Sequence, residues 1–256
     1  MSERYQTLRS LLQDIGPVAI AFSGGVDSAL VAAAAADACI ETIAITVLSP
    51  VFAAWQRRQA VAAAKEIGIR QVLIETDVLP MAGPNRCYRC KQQMADLWTH
   101  VAADHGFSTV VDGVTAADLA DPAMPGARAA TEAGILHPLA DLGFPGEAIR
   151  DLARHRGLSV WNTPSEACLA SRLPSDEQIT EKNLQMIENA EAMLREITPR
   201  VRARKHGDLV RIAVPPELFK EVLQQRERIA SHMHDLGFRY VTLDIQGYRQ
   251  GSMHPR

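Results

Sequence analysis

No stretch of this 256-residue chain stays apolar long enough to cross a bilayer. Its first residues, Met1-Ser2-Glu3-Arg4, are polar and read as no signal peptide. A cytoplasmic protein without membrane contact is the expectation. Charge of one sign is also missing: Lys and Arg number 27 against 30 Asp and Glu, for a net charge of −3. Such a balance gives no global reason to bind nucleic acid. Cysteine is scarce, with four residues at Cys39, Cys87, Cys90 and Cys168. They are too few for a disulfide framework in such a chain, so metal or redox chemistry is the better use for them. Cys39 lies among small apolar residues and reads as a core or near-core thiol. Two common nucleotide motifs are absent as well. No Gly-Lys-Ser/Thr follows the glycine pair at 24–25, which excludes a Walker loop, and the third glycine of the dinucleotide fingerprint is lacking.

What is present is a folded composition, 47% apolar and 22% charged, long enough for one large domain or two. The most informative stretch is Ser23-Gly24-Gly25-Val26-Asp27-Ser28. The buried-type run Val18-Ala19-Ile20-Ala21-Phe22 leads into it and an alanine-rich run follows, which reads strand, tight turn, helix. Adjacent glycines let the backbone approach a ligand closely, and amides at a helix N-terminus favour an anion. Ser23 and Ser28 add hydroxyl donors, and Asp27 suits a metal ion or a helix cap. The stretch is a candidate phosphate or pyrophosphate cradle, and it resembles the SGGxDS loop of the PP-loop ATP pyrophosphatases.

The chain alternates helices and strands on both sides of this loop. Helical spacing covers 5–15, 54–67, 91–105 and 147–156, and strand patterns cover 40–47, 71–75 and 108–112. The fold class that follows is α/β, with a doubly wound parallel sheet. Asp112-Gly113-Val114-Thr115-Ala116-Ala117-Asp118 again sets a glycine just past a strand end, on the edge that faces the cradle in a parallel sheet. Residues 121–126 read as a mobile loop. His137, before a proline, reads as a loop residue and not as a base, and His100 and His105 read as solvated. After Pro174 the pattern becomes helix, strand, strand, helix, strand, a small α+β domain with its hairpin turn at His206-Gly207-Asp208. The domains are therefore 1–160 and 175–256, joined by a loop at 161–174.

Cys87 and Cys90 form a Cys-x-x-Cys pair at a loop-to-helix junction, which puts two sulfurs within reach of one metal or cluster iron. Arg86, Arg89 and Lys91 favour thiolates there. A thioredoxin-type redox pair needs the same spacing. Cys168 sits at the centre of the 161–174 loop, with Ser171 and Arg172 beside it as phosphate or carboxylate partners. From residue 197 onward 11 Lys and Arg stand against 6 Asp and Glu. Strand alternation puts Arg202 and Arg204 on one face, as a solvated surface or as a clamp for a phosphorylated ligand.

Over nearly its full length the chain resembles the LarE-type ATP-dependent sulfur transferases of the PP-loop superfamily, which serve nickel-pincer nucleotide synthesis. The resemblance is carried by the cradle, by Cys87-Tyr88-Arg89-Cys90-Lys91, by the 112–118 segment and by Ala167-Cys168-Leu169-Ala170-Ser171-Arg172. It continues through the hairpin 202–208 and the tail Leu243-Asp244-Ile245-Gln246-Gly247-Tyr248-Arg249-Gln250-Gly251-Ser252. It implies ATP and Mg2+ at Ser23, Gly24, Gly25, Asp27, Ser28, Asp112, Gly113 and Thr115, with residues 44–48 beside the adenine. It implies a small-molecule nucleotide substrate, a pyridinium dicarboxylate mononucleotide, held by Ser171, Arg172, Arg202 and Arg204. Cys168 becomes the sulfur nucleophile, or Cys87, Cys90 and Cys168 hold a 4Fe-4S cluster. A homo-oligomer is implied, a hexamer among the candidates. Three positions depart from the family: Ala213 replaces a glutamate metal ligand, leaving Glu191 and Glu221 as candidates for that metal; Met124 replaces an arginine; and His137 replaces a serine. A tRNA-thiolating enzyme, an ATP-dependent amidase and a non-catalytic nucleotide sensor share parts of this pattern. The net charge and the lack of zinc-finger pairs count against the first of these.

Overall fold

The computed structural model describes residues 2–77 and 79–249; Gln250, Gly251 and Ser252 of the tail motif lie outside them. The chain forms two compact units. One is built from the chain up to residue 78 and from Asn85 to Ser165, the other from Leu79 to Pro84 and from Glu166 onward.

The first unit holds α1 (Glu3–Ile15), β1 (Val18–Ala21), α2 (Val26–Asp37), β2 (Thr42–Leu48), α3 (Ala54–Ile67), β3 (Arg70–Glu75), α4 (Arg86–Asp104), β4 (Val110–Val111), α5 (Ala116–Ala120), α6 (Pro125–Glu132), α7 (Pro138–Asp141) and α8 (Gly146–His155). Its four strands are all parallel, in the order β3-β2-β1-β4. A sheet covered by helices on its faces needs strands that are apolar throughout. β1, Val-Ala-Ile-Ala, is buried at every position. α2 is buried almost all round, with Ala29 and the run Ala32 to Ala35 fully enclosed, and alanine lets the helix lie close against its neighbours. β4 is shorter than its sequence pattern: two residues pair with β1, and Val111 also bridges to Leu136.

Two expectations need correction. Cys39 is exposed, not in the core: it follows the last turn of α2 with φ +56°, in the left-handed region, where the chain reverses toward β2. The stretch read as the loop 121–126 ends in a helix start, because Pro125 occupies the first position of α6, where a fixed φ and a missing N–H cost nothing.

Asp37, at the end of α2, ties three helices together. Its carboxylate accepts from Tyr5 Oη of α1 at 2.7 Å and from Arg156 at 2.7 and 2.8 Å, just past α8. Burial pushes the Asp37 carboxyl up, but the hydrogen bonds from Arg156 and then Tyr5 outweigh it and hold it below its ordinary value. A carboxyl depressed in the folded state contributes stability above its unfolded pKa and loses it as pH falls through the folded one. Asp37→Asn should therefore cost about 1–2 kcal/mol at neutral pH. In urea titrations the difference from wild type should close in acid; a gap that stays constant with pH would assign the loss to packing.

The second unit holds a 3-10 turn (Leu169–Arg172), α9 (Glu181–Leu194), β5 (Arg202–His206), β6 (Leu209–Ala213), α10 (Phe219–Gln224), α11 (Arg226–Asp235) and β7 (Tyr240–Leu243). β5 and β6 are an antiparallel hairpin, and β7 adds parallel to β6. Gly207 supplies the positive φ of the turn, +58°. Ala190 and Leu194 of α9, Val201, Ala203, Val210 and Ile212 of the hairpin region, and Met233 and Phe238 near the end of the chain form the core.

Candidate functional site

The strand order reverses beside β1: the chain winds outward through β2 and β3, then returns to place β4 on the other side. In open α/β sheets the crevice at such a reversal is where ligands sit, at the carboxyl ends of the strands. The loop after β1 and the first turn of α2 carry Ser23 to Ser28, and the loop after β4 carries Asp112 to Thr115. The structure brings the two together. A Cβ built on Gly113 would lie 2.5 Å from the Ser28 amide nitrogen and 2.8 Å from the Asp27 carbonyl carbon. Only glycine permits that approach. Gly24, at φ +73°, meets α3 as closely, since a Cβ there would fall 2.3 Å from Ala60 Cα. Gln59 of α3 donates to the Gly24 carbonyl at 2.8 Å.

Within the loop, the Ser23 and Ser28 hydroxyls meet at 3.1 Å, Ser28 Oγ donates to the Gly25 carbonyl, and the Gly25 amide donates to Ser23 Oγ. Gly25 is the N-cap of α2 and brings no side chain to cap it. The first-turn amides thus keep the positive end of the helix for an anion. Burial first, then the nearby Asp118 carboxylate, push the Asp27 carboxyl up. Thr115 caps α5: Asp118 accepts from its amide at 2.9 Å and its hydroxyl at 2.7 Å.

Asp112 is buried. Its Oδ1 accepts from the Val114 amide at 2.9 Å and meets His137 Nδ1 at 2.7 Å; the other side of the ring meets the Thr131 hydroxyl at 2.8 Å. Its Oδ2 is buried without a hydrogen-bond partner among the described residues. His137 is a loop residue, but a buried one: it is the N-cap residue of α7 and bridges Asp112 to α6. The dipeptide with Pro138 gave no sign of this, because the contact depends on the bridge between Val111 and Leu136. Asp27 and the orphaned Asp112 oxygen are hard oxygen donors of the kind a divalent cation such as Mg2+ takes, while no three carboxylates, cysteines or histidines converge as a metal site among the described residues.

Cys87 and Cys90 lie in the first two turns of α4, exposed and half-exposed, on neighbouring positions of the helix surface. α6 starts beside them, for a Cβ on Gly126 would come within van der Waals range of Lys91 and of the Cys87 carbonyl. Two thiols at this spacing fit iron or zinc by donor chemistry. Cys168 belongs to the other unit.

In the second unit Cys168 is half-buried and caps the 3-10 turn that follows. Ser171 and Arg172, read from sequence as ligand partners, are bound to the backbone here. The Cys168 carbonyl accepts from Ser171 Oγ at 2.8 Å and from Arg172 Nη1 at 3.0 Å. The Arg172 side chain is 2% exposed and also pairs with Glu166 and Glu191, each at 2.9 Å. Glu166 in turn meets Arg195 at 3.1 Å and Arg202 at 3.0 Å. Burial alone pushes the Glu191 carboxyl up, but Arg172 first, then Arg202 and Arg195, hold it below the carboxylate range. Glu191, a metal candidate from sequence, is thus committed to arginines and to the Ala203 amide, while Glu221 is exposed on α10. Glu166 and Arg195 escaped the sequence reading because no periodicity links them. On β5, Arg202 and Arg204 are buried rather than solvated. Lys205 pairs with Glu177 at 2.5 Å.

A parallel sheet reversing beside β1, with a glycine corner at that reversal seated on a helix N-terminus, defines an α/β protein of the PP-loop kind. The chain is 32% identical over 261 residues, 99% of its own length and 94% of the relative's, to the pyridinium-3,5-bisthiocarboxylic acid mononucleotide synthase of Lactiplantibacillus plantarum. It belongs to that family, the LarE-type proteins. It is also 36% identical to an uncharacterized protein of Synechocystis sp. over 99% of this chain and 97% of the relative. A third relative, an uncharacterized protein of Methanocaldococcus jannaschii, is 29% identical over 91% of this chain and 90% of its own. No family model matches the chain.

Proposed function

We propose that this protein is an ATP-dependent sulfur transferase that converts a carboxylate of a pyridinium-3,5-dicarboxylate mononucleotide into a thiocarboxylate. The name of the Lactiplantibacillus relative supports the sulfur chemistry and the substrate class. The observation that carries the ATP chemistry is the close fit of Gly113 against Ser28, which lines the sheet crevice with two glycine loops and uncapped helix amides.

In this reading the substrate carboxylate attacks the α-phosphorus of ATP. The bond to the β-phosphate oxygen breaks and pyrophosphate leaves, giving an acyl adenylate. The amides of the 23–28 stretch would hold the outgoing phosphates, and Mg2+, for which Asp27 offers a carboxylate, would screen their charge. The Cys168 thiolate then attacks the activated carbonyl and AMP departs with its bonding electrons, leaving a thioester. In the sacrificial route a base removes the Cys168 Cα proton, the Cβ–Sγ bond breaks, and the sulfur leaves with the product while residue 168 becomes dehydroalanine. A 4Fe-4S cluster on Cys87, Cys90 and Cys168 would instead supply an external sulfur atom.

Iron and sulfide analysis under nitrogen, with mass spectrometry after one turnover, separates the routes. We expect brown protein whose chain mass is unchanged by turnover. Colourless, iron-free protein that loses the mass of H2S would remove the cluster route and establish the sacrificial one. A homo-oligomer is the expected assembly, to be read by light scattering.

A further inference from the structure

We propose that Gln59 of α3 is a positioning residue for the nucleotide phosphates: it holds the Gly24–Gly25 peptide in the orientation that turns the Gly25 amide toward an anion. The identity of the anion rests on the function proposed above. The role of Gln59 rests on the contacts around one peptide unit.

The carbonyl of Gly24 and the amide of Gly25 share a peptide plane. In a trans peptide, as this one is, they point in opposite directions. Gln59 Nε2 donates to the Gly24 carbonyl at 2.8 Å. The Gly25 amide therefore leaves on the side away from α3. There it meets Ser23 Oγ at 3.3 Å, a long bond that an arriving phosphate oxygen can replace with a shorter, charge-assisted one.

This peptide needs an anchor. Residues 24 and 25 are the only adjacent glycines in the sequence. Turning the plane over changes ψ of the first and φ of the second, and glycine tolerates both changes where other residues resist them. The flipped plane would aim the carbonyl oxygen at the phosphates, a repulsion in place of an attraction. α3 also presses on Gly24 directly, since Ala60 leaves no room for a Cβ there. That packing fixes where the Cα lies, not which way the plane faces. The hydrogen bond from Gln59 sets the plane.

Gln59 is itself held. A carbonyl only accepts, so the NH2 end of the side-chain amide must face Gly24. The other end, Oε1, accepts from the Thr163 hydroxyl at 3.5 Å. Thr163 is fixed in turn by Arg150 of α8, whose Nη1 donates to the Thr163 carbonyl at 2.9 Å and to the Trp161 carbonyl at 3.0 Å. All of these residues lie in the first unit.

Full-length protein labelled with 13C-carbonyl glycine and 15N-glycine tests this directly. Only the 24–25 pair joins a labelled carbonyl to a labelled amide, so an HNCO spectrum holds one signal. Adding inorganic pyrophosphate with Mg2+ should shift it. Gln59→Met keeps the length of the side chain and loses the donor. In that variant the carbonyl frequency should move upfield before any ligand is added, and pyrophosphate affinity, read by calorimetry, should fall about tenfold. Gln59→Glu donates only when its carboxyl is protonated, so its affinity relative to wild type should recover as pH falls through the carboxylate range. A Gln59→Met protein whose carbonyl signal matches wild type, or that binds pyrophosphate within about twofold of it, would overturn the proposal. So would a Gln59→Glu ratio that stays flat with pH. Wild-type protein that binds no pyrophosphate would remove the anion site altogether. Failure of sulfur transfer with pyrophosphate binding intact would sink the function proposed above and leave the role of Gln59 standing.

Discussion

Cys168→Ala should abolish sulfur transfer, by about a thousandfold or more, while pyrophosphate release from ATP and substrate continues near the wild-type rate. The two halves of the reaction separate because the backbone carbonyl that anchors the turn around Cys168 remains when the sulfur is removed. Ser171 and Arg172 grip the backbone carbonyl of residue 168, and Glu166 and Glu191 hold Arg172 in place. Alanine keeps that carbonyl and removes the sulfur, which is the nucleophile in the sacrificial route and the third cluster ligand in the other. Circular dichroism and melting temperature should match wild type. A variant that still makes thiocarboxylate would place the sulfur-bearing nucleophile elsewhere. One that loses pyrophosphate release as well would show that the cysteine acts before the thiol step.

The second large effect is expected at Gly113. Gly113→Ala puts a methyl group 2.5 Å from the Ser28 nitrogen and 2.8 Å from the Asp27 carbonyl carbon, both backbone atoms that cannot swing aside. Either the loop after β4 lifts away or the start of α2 is displaced. A shift near 1 Å among positioning groups costs on the order of a hundredfold in rate, and the strain costs roughly 1–3 kcal/mol in stability. Pyrophosphate release should therefore fall about a hundredfold. Gly146→Ala is the matched control, since a Cβ there meets nothing within 4 Å, and it should leave the rate unchanged. Equal activity in both variants would remove the 112–115 loop from the site.

The parts of this protein legible in its sequence are those written in local pattern. The apolar run of β1, the glycine corner and the alanine helix declare strand, turn and helix without help from distant residues. The hairpin at Gly207 does so through turn chemistry. What was not legible depends on partners far along the chain. Cys39 looked apolar in context, yet its position past a helix end turned it outward. His137 looked like an ordinary residue before proline, and only the pairing of Val111 with Leu136 brings it to Asp112. Arg172 and Arg202 looked like anion ligands, because an arginine beside a cysteine or on a hairpin reads the same whether its carboxylate comes from a substrate or from Glu166. Charge pairing across tens of residues leaves no periodic trace, which is why the glycine corner could be read early and the arginine frame could not.

The most direct test of the central claim is product analysis of ATP by 31P NMR, with pyridinium-3,5-dicarboxylate mononucleotide as the partner substrate. AMP and pyrophosphate should form in equal amounts, only when the carboxylate is present, and Asp27→Asn should slow both together. ADP and inorganic phosphate, or cleavage of ATP that ignores the carboxylate, would contradict the account.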